Sequence, residues 1–521
     1  MEIVNTQLGK RHSLKTFVKI RSMQILMGLA VISALFISFA PIEWIVFFVI
    51  VGVALFSSLS IAKFPILGVF LVVITAPLAA YEARAGIPFI GFLPISIGQI
   101  SFLTLIFVWL VERLVNKRVG LPYSFSFTWL LVFAAVSIVT TLTASSAADG
   151  AKEVVKWIQL GLMMLISLDL IGSESQKWEA PQNGVWIFVF FLACGSLIQA
   201  IVGILQFANP DGPESFLILG RFFRAFGTFE QPNPYGGYLT WHLVFFIGLV
   251  LPTITNQLLK FIGVDDDQNQ QGIHWLLIIG LLALSGVIGV ALIASWSRGA
   301  WLAALAGLCA VAFYLPRDRK VGVLLIVVAF AALLIAWQSG LLPTSLTARI
   351  ASSTEIEFVV VRDQEISPEN YAVLERQAFW QAALSMFESN IWTGVGFGNY
   401  DAAYPDHYVG TWERSLGHAH NYYINLLAEM GLLGLIAYLG LWTAIIWRLV
   451  SILGHLDLIQ RGLALGVLGV WISLGVHHLV DKLYVNNNWL TLGLFLAVQE
   501  ILIQTSVSKT KTERTFEGSS R

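Results

Sequence analysis

Apolar runs about as long as the ~17–25 residues a membrane helix needs follow one another along this chain, separated by short polar breaks. Period-two alternation, the mark of a half-buried strand, is scarce, and an unpaired backbone cannot face lipid, so the runs predict helices. Fourteen spans are expected, at 23–40, 42–62, 64–80, 96–112, 125–144, 154–171, 184–207, 236–259, 274–295, 299–315, 321–339, 422–447, 462–480 and 485–505. The fold class this predicts is an all-α polytopic membrane helix bundle of about 12–14 transmembrane helices.

Lys10, Arg11, Lys15, Lys19 and Arg21 precede the first span, and the positive-inside rule puts such a cluster in the cytoplasm. Alternation from there leaves most of the 31 Lys and Arg on the cytoplasmic side and brings the C-terminus back to it. The expected organisation is a cytoplasmic tail (1–22), a transmembrane scaffold (23–207), a transmembrane region with outward-facing arginines (208–339), a large outer loop (340–421), further transmembrane helices (422–505) and a cytoplasmic tail (506–521).

Composition agrees. The chain is 57% hydrophobic and 12% charged with mean hydropathy +0.75, where soluble domains carry about 25% charged residues. A net charge of -1 argues against nucleic acid as a partner. Cys194 and Cys309 sit in apolar runs and read as packing residues, not as a disulfide framework.

Candidate chemistry collects on the outer side. In the loop at 209–235, Arg221 and Arg224 are three apart and would share one face of a helical turn. Arg298 is a lone charge between two apolar runs, held at the membrane boundary, and such charges are expensive without an anionic partner. Arg376 lies on a helix expected over 371–389. Guanidinium matches phosphate oxygens; the alternative for each is an anchor snorkelling among aromatics. His418, His420 and Asn421 run directly into the span at 422–447. Imidazole at an aqueous boundary suits general-base work, with Asn421 orienting it or a substrate hydroxyl; helix capping is the competing reading. Two histidines at i, i+2 with no cysteine and no evident third ligand predict no metal. The Asp265–Asp267 run reads as a solvated cytoplasmic linker, and the glycines of 394–398 as a backbone bend rather than a phosphate loop.

The motifs resemble a known family. His420-Asn421, nine residues and Gly431-Leu432-Leu433-Gly434 resemble the histidine motif of O-antigen ligases. Arg298-Gly-Ala-Trp-Leu302 is similar to their R-x3-L element, and Arg224-x-x-Gly-Thr-Phe-x-x-Pro-Asn233 to a segment shared with Wzy-type polymerases and protein O-oligosaccharyltransferases. The resemblance implies a GT-C-like glycosyltransferase in a bacterial inner membrane, its active site facing the periplasm. It further implies metal-independent, cofactor-free transfer of a glycan from an undecaprenyl-diphosphate carrier to an acceptor hydroxyl, such as that of lipid A-core. His420 would be the base, and Arg224 and Arg298 would hold the diphosphate. A Wzy-type polymerase is the alternative of the same chemistry, and a bicarbonate-transport-associated protein the alternative of another class.

Overall fold

The computed structural model describes residues 63–84, 95–177, 181–209, 212–263, 272–351, 358–367 and 370–519, apart from positions 119, 123 and 143. The spans expected at 23–40 and 42–62 and the run Asp265–Asp267 lie outside the described residues. Nine described helices are long and apolar enough to cross a membrane, and three shorter apolar ones bring the described set to twelve. Each falls on one of the remaining twelve expected spans.

The chain runs through α1 (Ile66–Thr75), α2 (Ala79–Arg84), α3 (Ile97–Val115), α4 (Phe125–Thr141), α5 (Ala147–Lys177) and α6 (Pro181–Ala208). Glu82 is buried, and its carboxylate accepts the Ile97 N–H at the start of α3. Next comes a small hairpin, β1 (Leu217–Ile218) and β2 (Phe222–Phe223), which pair antiparallel and are the only strands among the described residues. Then follow α7 (Pro232–Phe261), α8 (Trp275–Ala294), α9 (Arg298–Tyr314) and α10 (Arg319–Gln338). The protein is an all-α polytopic membrane protein.

Helices α7 and α9 pack around α15 (Leu458–His477). Small residues let them close: a Cβ on Gly248 of α7 would lie 2.6 Å from the Gly466 Cα of α15. In a membrane, where lipid is as apolar as leucine, such close backbone approach carries helix association. A polar latch adds α14 (Tyr422–Ile452) and α16 (Asn488–Ser519): the Trp471 indole donates to Gln499, which donates to the Ile445 carbonyl. By contrast α10 buries only Gly322 and presents its apolar surface outward.

The long hydrophilic segment is folded, with α11 (Thr344–Ala351), α12 (Tyr371–Ser389) and α13 (Tyr400–Ala403). Phe379, Ala382, Ala383 and Met386 of α12 bury against Tyr400, Tyr404, Ala419 and Ala428, which fastens the segment onto the start of α14. Gly394, Gly396 and Gly398 all have positive φ, as the expected backbone bend requires. Val395 and Gly396 donate to the carbonyls of Ala428 and Glu429 just before α14 breaks at Gly431 (φ 61°, ψ -157°). The Leu432 N–H freed by that break donates to the Ile391 carbonyl, so the bend and the break satisfy each other.

Candidate functional site

The hairpin, the starts of α7 and α9, the loop helices α11 and α12 and the end of α15 meet around a cavity of about 450 Å³. Arg224, Arg298, Arg349 and Arg376 all line it, and no carboxylate does among the described residues. Trp301, Leu302, Leu305, Ile350 and Val480 line it as well and are apolar. Cationic donors and hydrocarbon in one lining fit a ligand with an anionic head and an apolar tail.

Local folding explains how the arginines are held. Asn233, in the Pro-Asn-Pro turn that opens α7, accepts from Arg224 Nη2 (3.3 Å) and from the Ser297 hydroxyl (2.9 Å). Ser297 in turn accepts the Ala300 N–H as the N-cap of α9. Arg224 Nε donates to the Ser295 carbonyl (3.0 Å). One asparagine thus registers the first arginine against the helix that begins with the second. Burial, then the neighbouring guanidinium groups of Arg349, Arg376 and Arg298, push Arg224 down to about 10. Burial with Arg298 and Arg376 does the same to Arg349. Both stay charged at neutral pH, so the cavity lining concentrates positive charge.

Beyond α15 the chain turns back: the N–H groups of Val480 and Asp481 both donate to the His477 carbonyl. Val480 lines the cavity, while Asp481 is buried beside the histidines. His420 Nδ1 lies 3.5 Å from Asp481 Oδ1, and His418 Nε2 lies 3.9 Å from the same oxygen. The His420 backbone is left-handed (φ 50°), a costly conformation for a non-glycine residue. Its N–H donates to His418 Nδ1 (3.0 Å), which holds that turn in place. Phe379 of α12 packs 5.8 Å from the His420 ring, so one helix serves both sides, Arg376 in the cavity and Phe379 against the imidazole.

The protonation pattern follows from these contacts. Burial, only partly offset by Asp481, pushes His418 down to about 3, so it is neutral at physiological pH. Its Nδ1 accepts a backbone proton, so its own proton sits on Nε2, toward Asp481. Burial works to raise the Asp481 carboxyl, but pairing with His420, helped by the neighbouring imidazoles of His418 and His477, outweighs it and holds the carboxyl well below the usual carboxylate range. A carboxylate facing His420 Nδ1 favours the Nδ1–H tautomer, which would leave the lone pair on Nε2.

The expected residues divide. Arg224, Arg298 and Arg376 meet in one cavity, and His420 sits across Asp481 from it. Arg221 is elsewhere: it is exposed and stacks over the Phe222 ring, whose other neighbour is Phe207. The segment expected as a helical turn is a hairpin, and residues three apart on extended chain point to opposite faces. Asn421 is the N-cap of α14, its side-chain oxygen accepting the N–H groups of Tyr423 and Ile424. Arg349 was not singled out as a site residue, since a charge inside a hydrophilic loop carries little signal in sequence; the pairing of Asp481 with His420, two helices away, shows only in the fold. Asp481 also supplies the missing third ligand of a possible metal set with His418 and His420.

A family model described as O-antigen ligase (Wzy_C) matches residues 281–439. The matched stretch takes in Arg298, Arg349, Arg376, His418, His420 and Asn421; Arg224 precedes it and Asp481 follows it. No curated protein matches the chain. Residues 281–439 of this multi-pass membrane protein are therefore similar to O-antigen ligase.

Proposed function

We propose that the protein is an O-antigen ligase-like glycosyltransferase that moves a glycan from an undecaprenyl-diphosphate carrier to an acceptor hydroxyl at the periplasmic face of the inner membrane. The observation that carries this reading is the cavity lined by four arginines and by apolar side chains, whose Val480 is followed in the chain by Asp481 of the His420–Asp481 pair. A lipid diphosphate suits both kinds of lining at once.

In this reading the acceptor hydroxyl gives its proton to His420 Nε2 as its oxygen attacks the anomeric carbon. The bond from that carbon to the diphosphate oxygen breaks, and its electron pair leaves with undecaprenyl diphosphate. Attack from the face opposite the leaving group inverts the sugar carbon. Arg224, Arg298, Arg349 and Arg376 offset the charge that grows on the leaving oxygens, the kind of electrostatic contribution that usually dominates such barriers. Asp481 stabilises the imidazolium, which then returns its proton to water. No metal or other cofactor takes part in this scheme.

The experiment is transfer by purified protein from a labelled undecaprenyl-diphosphate glycan, offered lipid A-core, a second lipid-linked repeat, or a Ser/Thr polypeptide in separate reactions. Transfer to the first is the expected result. Extension of the second alone would make the protein a polymerase with the same donor site. No transfer to any of them by protein that binds the donor would overturn the reading.

A further inference from the structure

His477 is the one residue of the arginine cavity whose chemistry the scheme above leaves unused. It ends α15, is 1% exposed, and lines the cavity alongside the arginines. Neither ring nitrogen has a hydrogen-bond partner, although a buried imidazole left unpaired is costly and rare. The carboxylate nearby is spoken for: Asp481 faces His420 and His418 and accepts the Lys482 N–H.

The ring occupies a seat made for it. A Cβ on Gly237 of α7 would lie 3.2 Å from His477 Nδ1, and one on Gly299 of α9 would lie 3.4 Å from Nε2. Two helices therefore carry glycine where the imidazole passes between them. The two edges of the ring differ in what they meet. Gly299 follows Arg298 and lines the cavity with it, whereas Gly237 does not line it. The Nε2 edge is the one packed against a residue of the cavity lining.

We infer that His477 binds the donor: its Nε2–H donates to a non-bridging oxygen of the carrier's diphosphate, completing the set of donors begun by the arginines. The inference rests on the diphosphate reading of the cavity. A phosphate oxygen fits because every other charged group in that lining is a cation and none is a carboxylate. It makes His477 a binding residue, distinct from His420, the base.

The test is binding of undecaprenyl diphosphate to the purified full-length protein in detergent, together with transfer kinetics, for His477→Ala, His477→Gln and His477→Asn. A glutamine amide reaches the Nε2 position; an asparagine amide falls nearer Nδ1. Loss of a hydrogen bond to a charged partner predicts an affinity about ten-fold or more weaker for Ala and Asn. Gln should restore most of it, and kcat and the pH profile at saturating donor should stay as in wild type. Wild-type affinity in His477→Ala, equal losses in Ala and Gln, or loss of the acidic limb of the pH profile would each overturn the inference. Arg298→Ala serves as the reference. If it too binds undecaprenyl diphosphate as wild type does, the diphosphate reading itself falls; if it alone loses binding, only the role of His477 does.

Discussion

His420 Nδ1 faces Asp481 Oδ1 at 3.5 Å, across a carboxylate that is 4% exposed. The pair joins the polar start of α14 to the turn after α15, and in the proposed scheme it selects the imidazole nitrogen that acts. Asp481→Asn keeps the shape and the acceptor for the Lys482 N–H but removes the charge that selects the tautomer. Turnover should fall by roughly 10²-fold or more, as when a base loses its orienting acid, with donor affinity within about two-fold, since the arginines hold the donor in this reading. Transfer by the Asn variant at the wild-type rate would refute the assignment.

The same carboxylate fixes a sign for pH. A depressed acid contributes stability that is fully present above the ordinary Asp value of about 4. That stability is lost only as pH falls through the still lower folded value, because the pairing outweighs burial at Asp481. Any acidic limb of transfer near neutral pH therefore does not come from Asp481.

Arg298→Ala should weaken donor binding by about ten- to a hundred-fold, the equivalent of roughly 1.5–3 kcal/mol for a hydrogen bond to a charged group. Arg298→Lys should recover little of it, because a compact ammonium lacks the bidentate fork. A fully active Lys variant would reduce Arg298 to a generic charge.

Arg349 gives a separate check on the loop. It reaches the cavity from α11, a helix with no buried residue, so its removal should spare the fold. Arg349→Ala should raise the donor KM several-fold without a shift in melting temperature. An unchanged KM would exclude it from the anion site.

Much of this architecture was legible because it is local. Apolar run length is set by bilayer thickness, so twelve expected spans reappear as described helices, and α12 falls where its residues predicted. Arg298 stood out because a charge between apolar runs needs a reason. The pairing of Asp481 with His420 did not, since only the packing of α14 against α15 brings the two together. Arg221 misled because spacing by three implies a shared face only on a helix, and positive φ at Leu219 and Gly220 turns that segment into a hairpin instead. Asn421 was legible twice, as cap and as site residue, and its side-chain oxygen is spent on the cap.

That double reading of Asn421 is separable. Ala there should cost about 1 kcal/mol of stability, and Ser or Asp should restore it, because all three polar residues are good caps. If the side chain only caps, the Ser variant transfers at close to the wild-type rate. A stable Ser variant with little activity would return Asn421 to the chemistry.

The central claim is that His420 is the base. The direct measurement is the rate of glycan transfer by His420→Ala, at matched expression and saturating labelled undecaprenyl-diphosphate donor, across pH. The account predicts a rate lower by roughly 10²–10⁴-fold, the usual worth of a positioned base, with donor affinity kept and the acidic limb gone. Transfer by the Ala variant at the wild-type rate, with the acidic limb intact, would contradict it.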